Sequence, residues 1–332
     1  MNMTLMSWPA RIACIDDSTN FLQSIASRIT SMGPNYTCDL FDEGRTAIEV
    51  LLETIPENNG GRTSEVFRDF DAARGNFDVK LDDLHRISQS IERFMTPAIV
   101  LVDYSMPDID GLAVCAALRE KAAQLILFTG QADESVGLAA FNDGLIDYFL
   151  PKGPDAGKML PKVLERSMRK YFQGQCKFAA DLIRMNPGSV LNDSALEILI
   201  DRVKADGGFT EHYYVSNPEG FLLVRADGSA GRLIIETDES MRAHEEAAVD
   251  NGAPHSLIES LRRRLCVPYF WKSGGLYTVA SLDWKAYTLP ATMYTGGETF
   301  YWALTDNLGN LDPALIASYA SLPEKDRIRS YF

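Results

Sequence analysis

Ala98-Ile99-Val100-Leu101-Val102 runs without a polar break and ends on Asp103. A strand with one face in water alternates apolar and polar residues. An unbroken run must be covered on both faces, as in the centre of a parallel sheet with helices above and below. The flanking segments fit that position. Ile12-Ala13-Cys14-Ile15 is a short apolar run ending in Asp16-Asp17. Ser18 or Thr19 can cap the helix that follows, with Phe21, Leu22, Ile25 and Ile29 at helical spacing. A strand over 36–41 and a helix over 46–55 come next. After the central run follow a helix over 112–121, a strand over 125–128, a helix to Asn142 and a strand over 146–150. Five β-α units predict an open α/β sheet with helices on both faces.

Residues 56–97 interrupt this rhythm as an insertion between the second helix and the third strand. Glu57-Asn58-Asn59-Gly60-Gly61-Arg62 is loop-like, whereas 81–95 predicts a helix with Leu84, Ile87, Ile91 and Phe94 or Met95 on one face. A linker helix is predicted over 156–186, with Leu160, Leu164, Met168, Tyr171, Gln175, Phe178 and Leu182 close to a heptad seam. Such a stripe is longer than one sheet needs, so it predicts self-pairing as a dimer or docking on the second domain. Residues 187–332 predict an α+β domain with an antiparallel sheet. Strands are expected over 212–216, 221–225, 233–237, 276–280, 284–289 and 299–304, helices over 193–204, 239–248 and 255–265, and a short helix ends the chain.

The net charge is −14, which argues against general attraction to nucleic acid or anionic lipid. No stretch has the roughly 18–20 apolar residues of a membrane helix. The N-terminus has neither a basic start nor a long apolar run, so no signal peptide is expected. The five cysteines are scattered without a CxxC pair, as in a cytosolic protein with reduced thiols.

Asp16-Asp17 ends the first strand, Asp103 the third, Thr129 the fourth and Lys152 the fifth. In an open parallel sheet these ends lie on one rim, where chemistry is found. Three carboxylates drawn together call for a hard divalent cation with oxygen ligands. A lysine beside them supplies a mobile cation for a phosphoryl oxygen, and a threonine hydroxyl can take another. A carboxylate next to bound Mg²⁺ can act as nucleophile toward an activated phosphoryl donor.

With these residues, 9–152 resembles the receiver domain of two-component response regulators. Val102-Asp103-Tyr104-Ser105-Met106-Pro107-Asp108-Ile109-Asp110-Gly111 matches its phosphorylation loop, Phe128-Thr129-Gly130 its switch threonine, and Phe149-Leu150-Pro151-Lys152 its aromatic and lysine. The resemblance implies a flavodoxin-like five-stranded parallel domain over 9–155. It implies Asp103 as phosphoacceptor, and Asp16, Asp17, Asp103 and the Ser105 carbonyl as Mg²⁺ ligands. Thr129 and Lys152 would hold the phosphoryl group, with Thr129 and Phe149 as switch residues. A sensor histidine kinase would be the partner, and no turnover chemistry beyond the receiver's own phosphorylation and dephosphorylation is implied. Pro151 stands before the lysine, where the family places proline after it. A finer resemblance, over 129–134 and 140–146, is to receivers found beside α-hydroxyketone quorum-sensing kinases, as in Legionella.

The output domain over 187–332 matches no family by its motifs. Arg262-Arg263-Arg264 on a helix would serve nucleic-acid binding, but residues 186–332 hold 13 Lys+Arg against 20 Asp+Glu. Gly296-Gly297-Glu298-Thr299-Phe300 is similar to part of a nucleotide-cyclase signature without its Asp. His212, His244 and His255 lack metal-ligand spacing. A binding or interaction output is expected, with an enzyme acting on a nucleotide messenger or a transcriptional regulator as alternatives.

Overall fold

The computed structural model describes residues 3–32, 36–58, 87–130, 134–185, 189–271, 277 and 283–332. The chain divides into two compact units. One takes the described residues of Trp8–Asp69, Ser90–Phe178 and Tyr319–Phe332; the other takes those of Met1–Ser7, Phe70–Gln89 and Ala179–Ser318. The first short strand, β1 (Met6–Ser7), therefore belongs to the second unit.

The first unit is the expected parallel α/β sheet. Its elements are β2 (Arg11–Ile15), α1 (Thr19–Ser31), β3 (Thr37–Phe41), α2 (Gly44–Thr54), β4 (Pro97–Asp103), α3 (Gly111–Leu118), β5 (Gln124–Thr129), α4 (Glu134–Asn142), β6 (Tyr148–Pro151) and the start of α5 (Ala156–Arg184). The strands lie in the order β3-β2-β4-β5-β6, all parallel. Every residue of β4 is buried, as its apolar run requires. Alternation divides the strand side chains between two cores. Ile12, Cys14, Ile99, Leu101, Ile126 and Phe128 pack with α1 and α5. Ala13, Ile15, Val100, Val102, Leu125 and Leu127 pack with α2, α3 and α4.

The stripe on α5 is used differently from the expected surplus. Leu160, Leu164, Met168 and Tyr171 are buried in the core of their own unit, joined by Val163 and Phe172. The unmet apolar surface that would drive self-pairing through this part of the helix is therefore absent. The side chains of Phe178 and Leu182 lie outside the described residues.

At the insertion, residues 59–86 lie outside the described residues. Before them, Lys121 Nζ sits 2.7 Å from Glu57 Oε1, and Ala122 N–H donates to the Pro56 carbonyl (2.8 Å). After them, the expected helix to Met95 breaks at Ser90. Its backbone is extended and its hydroxyl accepts from Glu92 N–H, so only a single 3₁₀ turn, Ile91–Phe94, follows.

The second unit is built on an antiparallel sheet. Its elements are α6 (Ala195–Gly207), β7 (Phe209–Ser216), β8 (Glu219–Arg225), β9 (Ala230–Thr237), α7 (Asp238–Asp250), α8 (His255–Arg262), β10 (Cys266–Pro268), β11 (Thr288–Pro290), β12 (Thr292–Thr295) and β13 (Thr299–Thr305). The main sheet has the order β1-β7-β8-β9-β13-β12, and β10 pairs with β11 apart from it. Met241, Ala248, Leu257 and Leu261 of α7 and α8 share a core with Ile234 and Ala303. The strand expected over 284–289 is corrected. Trp284–Tyr287 forms a 3₁₀ turn, closed by Ala286 N–H on the Asp283 carbonyl, and only then does β11 begin. Of the strand expected over 276–280, only Tyr277 is described, and it is buried.

The end of the chain returns to the first unit. Beyond a one-turn helix, α9 (Glu324–Arg327), the last residues form β14 (Ile328–Tyr331), parallel to β3. The parallel sheet thus has a sixth strand supplied from the far end of the sequence, where a terminal helix was expected. Alternation in Ile328-Arg329-Ser330-Tyr331 is too short to announce a strand alone.

Candidate functional site

Each acid of the rim is placed by a strand end. β2 stops at Ile15, and the Asp16 N–H donates to the Phe41 carbonyl at the end of β3 (3.1 Å). Ser18 caps α1, and its N–H donates to Asp16 Oδ1 (2.9 Å). Asp103 is the last residue of β4. The chain then turns sharply: Tyr104 N–H donates to the Phe128 carbonyl, and Gly111 N–H to the Tyr104 carbonyl. A Cβ on Gly111 would stand 2.2 Å from the Asp103 carbonyl oxygen, so only glycine can open α3 at this distance.

Carboxylate oxygens of Asp16, Asp17 and Asp103 lie within 4.8 Å of one another. Asp16 and Asp103 are buried and Asp17 is exposed. Lys152 reaches in from the end of β6, with Nζ 2.8 Å from Asp16 Oδ2 and 2.8 Å from Asp103 Oδ1. Burial pushes the Asp103 carboxyl above its ordinary pKa, and the hydrogen bond and charge of Lys152 pull it partway back. Burial alone would lower the Lys152 pKa, but hydrogen bonds to Asp103 and Asp16 outweigh it and leave it raised. The ammonium is held charged. Three carboxylates against one ammonium leave two negative charges at the cluster, which fits a hard divalent cation taking oxygen ligands.

The remaining expected residues fall around this group. Thr129 ends β5 and pairs with Pro151, immediately before Lys152; its side chain lies outside the described residues. Ser105 follows Asp103 by two positions in the same loop. Phe149 is half-buried on β6, and its ring lies against Gly137 of α4, where a Cβ would meet it at 3.2 Å. Phe21 and Phe128 were missed as site residues. Their rings stack at 5.3 Å, and the Lys152 ammonium lies 4.8 Å and 5.5 Å from their centroids. Both read in the sequence as ordinary core positions.

In the second unit the chemistry-bearing residues are dispersed. His212 is buried between Thr4 and Lys204; burial first, then the Lys204 charge, lowers its pKa well below the ordinary value. His244 bonds Tyr277 Oη (2.7 Å) and faces Glu236, and His255 is exposed. Arg262 pairs with Glu245 and Glu259, and Arg264 with Asp238 and Glu245, so two of the three arginines are neutralised within the chain. Gly296-Gly297-Glu298 is the turn between β12 and β13, pinned by Asp193, which accepts from Glu298 N–H (2.6 Å).

Residues 74–163 match the model of the response regulator receiver domain. The chain carries a receiver domain. The match begins after Asp16 and Asp17, which the fold brings to Asp103. No curated protein matches the sequence. Among solved structures, the Legionella pneumophila response regulator LqsR is similar with a TM-score of 0.75 and 24% identity, over 98% of this chain and 97% of that one. It shares the fold of the whole chain. The receiver domain of AraT from Geobacillus stearothermophilus is similar at 22% identity and a TM-score of 0.33, over 50% of this chain and 98% of that one. Among the described residues no helix is long and apolar enough to cross a membrane.

Proposed function

We propose that the chain is a two-component response regulator phosphorylated on Asp103 in a Mg²⁺-dependent reaction by a sensor histidine kinase. One observation carries this reading: Asp103 lies within reach of two further carboxylates while Lys152 bridges it to Asp16 at 2.8 Å on each side. Asp16, Asp17 and Asp103, with the Ser105 carbonyl, would hold the cation, whose charge would offset that of the incoming phosphoryl group. Asp103 Oδ forms the new P–O bond as the P–N bond of a phosphohistidine breaks and the imidazole leaves. Lys152 moves its charge to a phosphoryl oxygen, and Thr129 supplies a hydroxyl to another. The resemblance of 129–134 and 140–146 supports a quorum-sensing kinase as partner. The output is a binding or interaction unit in the cytosol; the ion-paired arginines speak against a nucleic-acid surface. Self-association is assigned to α4, where Leu138 (50%) and Phe141 (43%) are exposed one turn apart.

A small acyl phosphate donor with Mg²⁺ should label the wild type and leave Asp103→Asn unlabelled. Labelling that persists in the variant would remove the assignment.

A further inference from the structure

The Asp103 rim has a second neighbour besides the site residues. β14 runs parallel to β3 with Tyr331 level with Phe41, and Ile15 of β2 is level with the same Phe41. The last strand of the chain thus ends on the rim that carries Asp16. The Tyr331 ring stacks on Phe41 at 4.5 Å and 10°, and the Phe41 carbonyl takes the Asp16 N–H. From Asp16 to Tyr331 there is one residue between. The other end of this segment is equally tied. Tyr319 is buried and packs edge-on against Phe94 at 5.3 Å, with Leu322 in the same cluster. Asp326 offers its carbonyl to Arg11, and Arg11 pairs with buried Asp39 of β3. In the second unit the residue before Tyr319, Ser318, donates its hydroxyl to the Ala226 carbonyl in the β8–β9 turn (3.1 Å). No slack residue separates the two attachments.

We infer that β14 is a coupling strand: occupancy of the acidic site is felt through Phe41 and Tyr331 by the segment 319–331, and so by the covalent link to the second unit at Ser318. The inference rests on the proposed role of the acidic site. β14 is an edge strand, paired on one side only and partly exposed along its length, which makes it a low-stability element open to bias. A cation and phosphoryl group that fix Asp16 also fix the Phe41 carbonyl bonded to it, and ordering the rim orders the strand stacked upon it. Linkage demands the reverse effect. Loosening β14 must weaken cation binding by the same factor, although Tyr331 supplies none of the three carboxylates.

Hydrogen exchange on the full chain tests this, with Asp103 labelling read in the same sample. On adding Mg²⁺ and an acyl phosphate donor, the 328–331 amides should exchange about 5-fold more slowly, the lower end of ordinary coupling. Labelled Asp103 with unchanged exchange in 328–331 would overturn the coupling and leave the phosphoacceptor reading standing. Absence of labelling would overturn both. Tyr331→Ala should weaken Mg²⁺ binding about 5-fold, whereas Tyr331→Phe, which keeps the ring, should bind as the wild type. Equal Mg²⁺ affinity in Tyr331→Ala and wild type would refute the link.

Discussion

Single buried polar residues set where this chain is sensitive. Glu219, at the start of β8, accepts hydrogen bonds from Tyr214 (2.8 Å) and Ser189 (3.5 Å), both of them neutral donors. Burial pushes its carboxyl up to about 7, the Tyr214 bond pulling down and the Glu236 charge adding to the rise. The folded form then binds a proton between roughly pH 4.5 and 7 that the unfolded form has released. Stability from this group is full below that window and is lost as pH rises through it. Glu219→Gln should flatten the loss. Urea unfolding at pH 5.5 and pH 8 should show the wild type losing about 1–3 kcal/mol more than the variant across the interval. Equal losses would show that Glu219 is ionised throughout.

At the scale of elements, α5 shows how local preference and burial trade. Its first half lies on the parallel sheet with Leu160, Leu164 and Phe172 nearly inaccessible. Gly174 follows at an exposed position with nothing within 4 Å of where a Cβ would stand. Glycine there adds backbone freedom to the unfolded chain and no packing to the folded one. Gly174→Ala should therefore stabilise the protein by about 0.5–1 kcal/mol in denaturant titration. A loss of stability would mean that the helix needs its flexibility at this point. The helix itself was legible in the sequence from its spacing, and the expected bounds of 156–186 are close to the observed Ala156–Arg184. Which residues its stripe covers was not, because a periodic face states that something is buried without naming its partner.

For the whole molecule, phosphorylation should favour a dimer through α4. Burying Leu138 and Phe141 against a second copy would gain about 1.5–3 kcal/mol for each side chain fully removed from water. A symmetric pair lets one patch cover its twin. Sedimentation with and without a phosphoryl mimic should show the shift, and Leu138→Ser with Phe141→Ser should abolish it. A monomer in both states over the micromolar range would remove this surface as an interface.

The sequence by itself determined the parallel sheet, its acidic rim and the antiparallel character of the second unit. Those features are written in local terms: an unbroken apolar run must be covered on both faces, carboxylates follow strand ends, and alternating residues between turns make meanders. Tertiary structure alone decided where the chain ends belong. Met6–Ser7 pairs with β7, and Ile328–Tyr331 pairs with β3. Strands of two and four residues carry too little pattern to specify a partner. Their places follow from exposed edges elsewhere in the chain, from the Tyr331–Phe41 stack, and from the buried Arg11–Asp39 pair that Asp326 helps to satisfy. Such non-local pairing is fixed by complementarity between distant segments, a property no single segment contains.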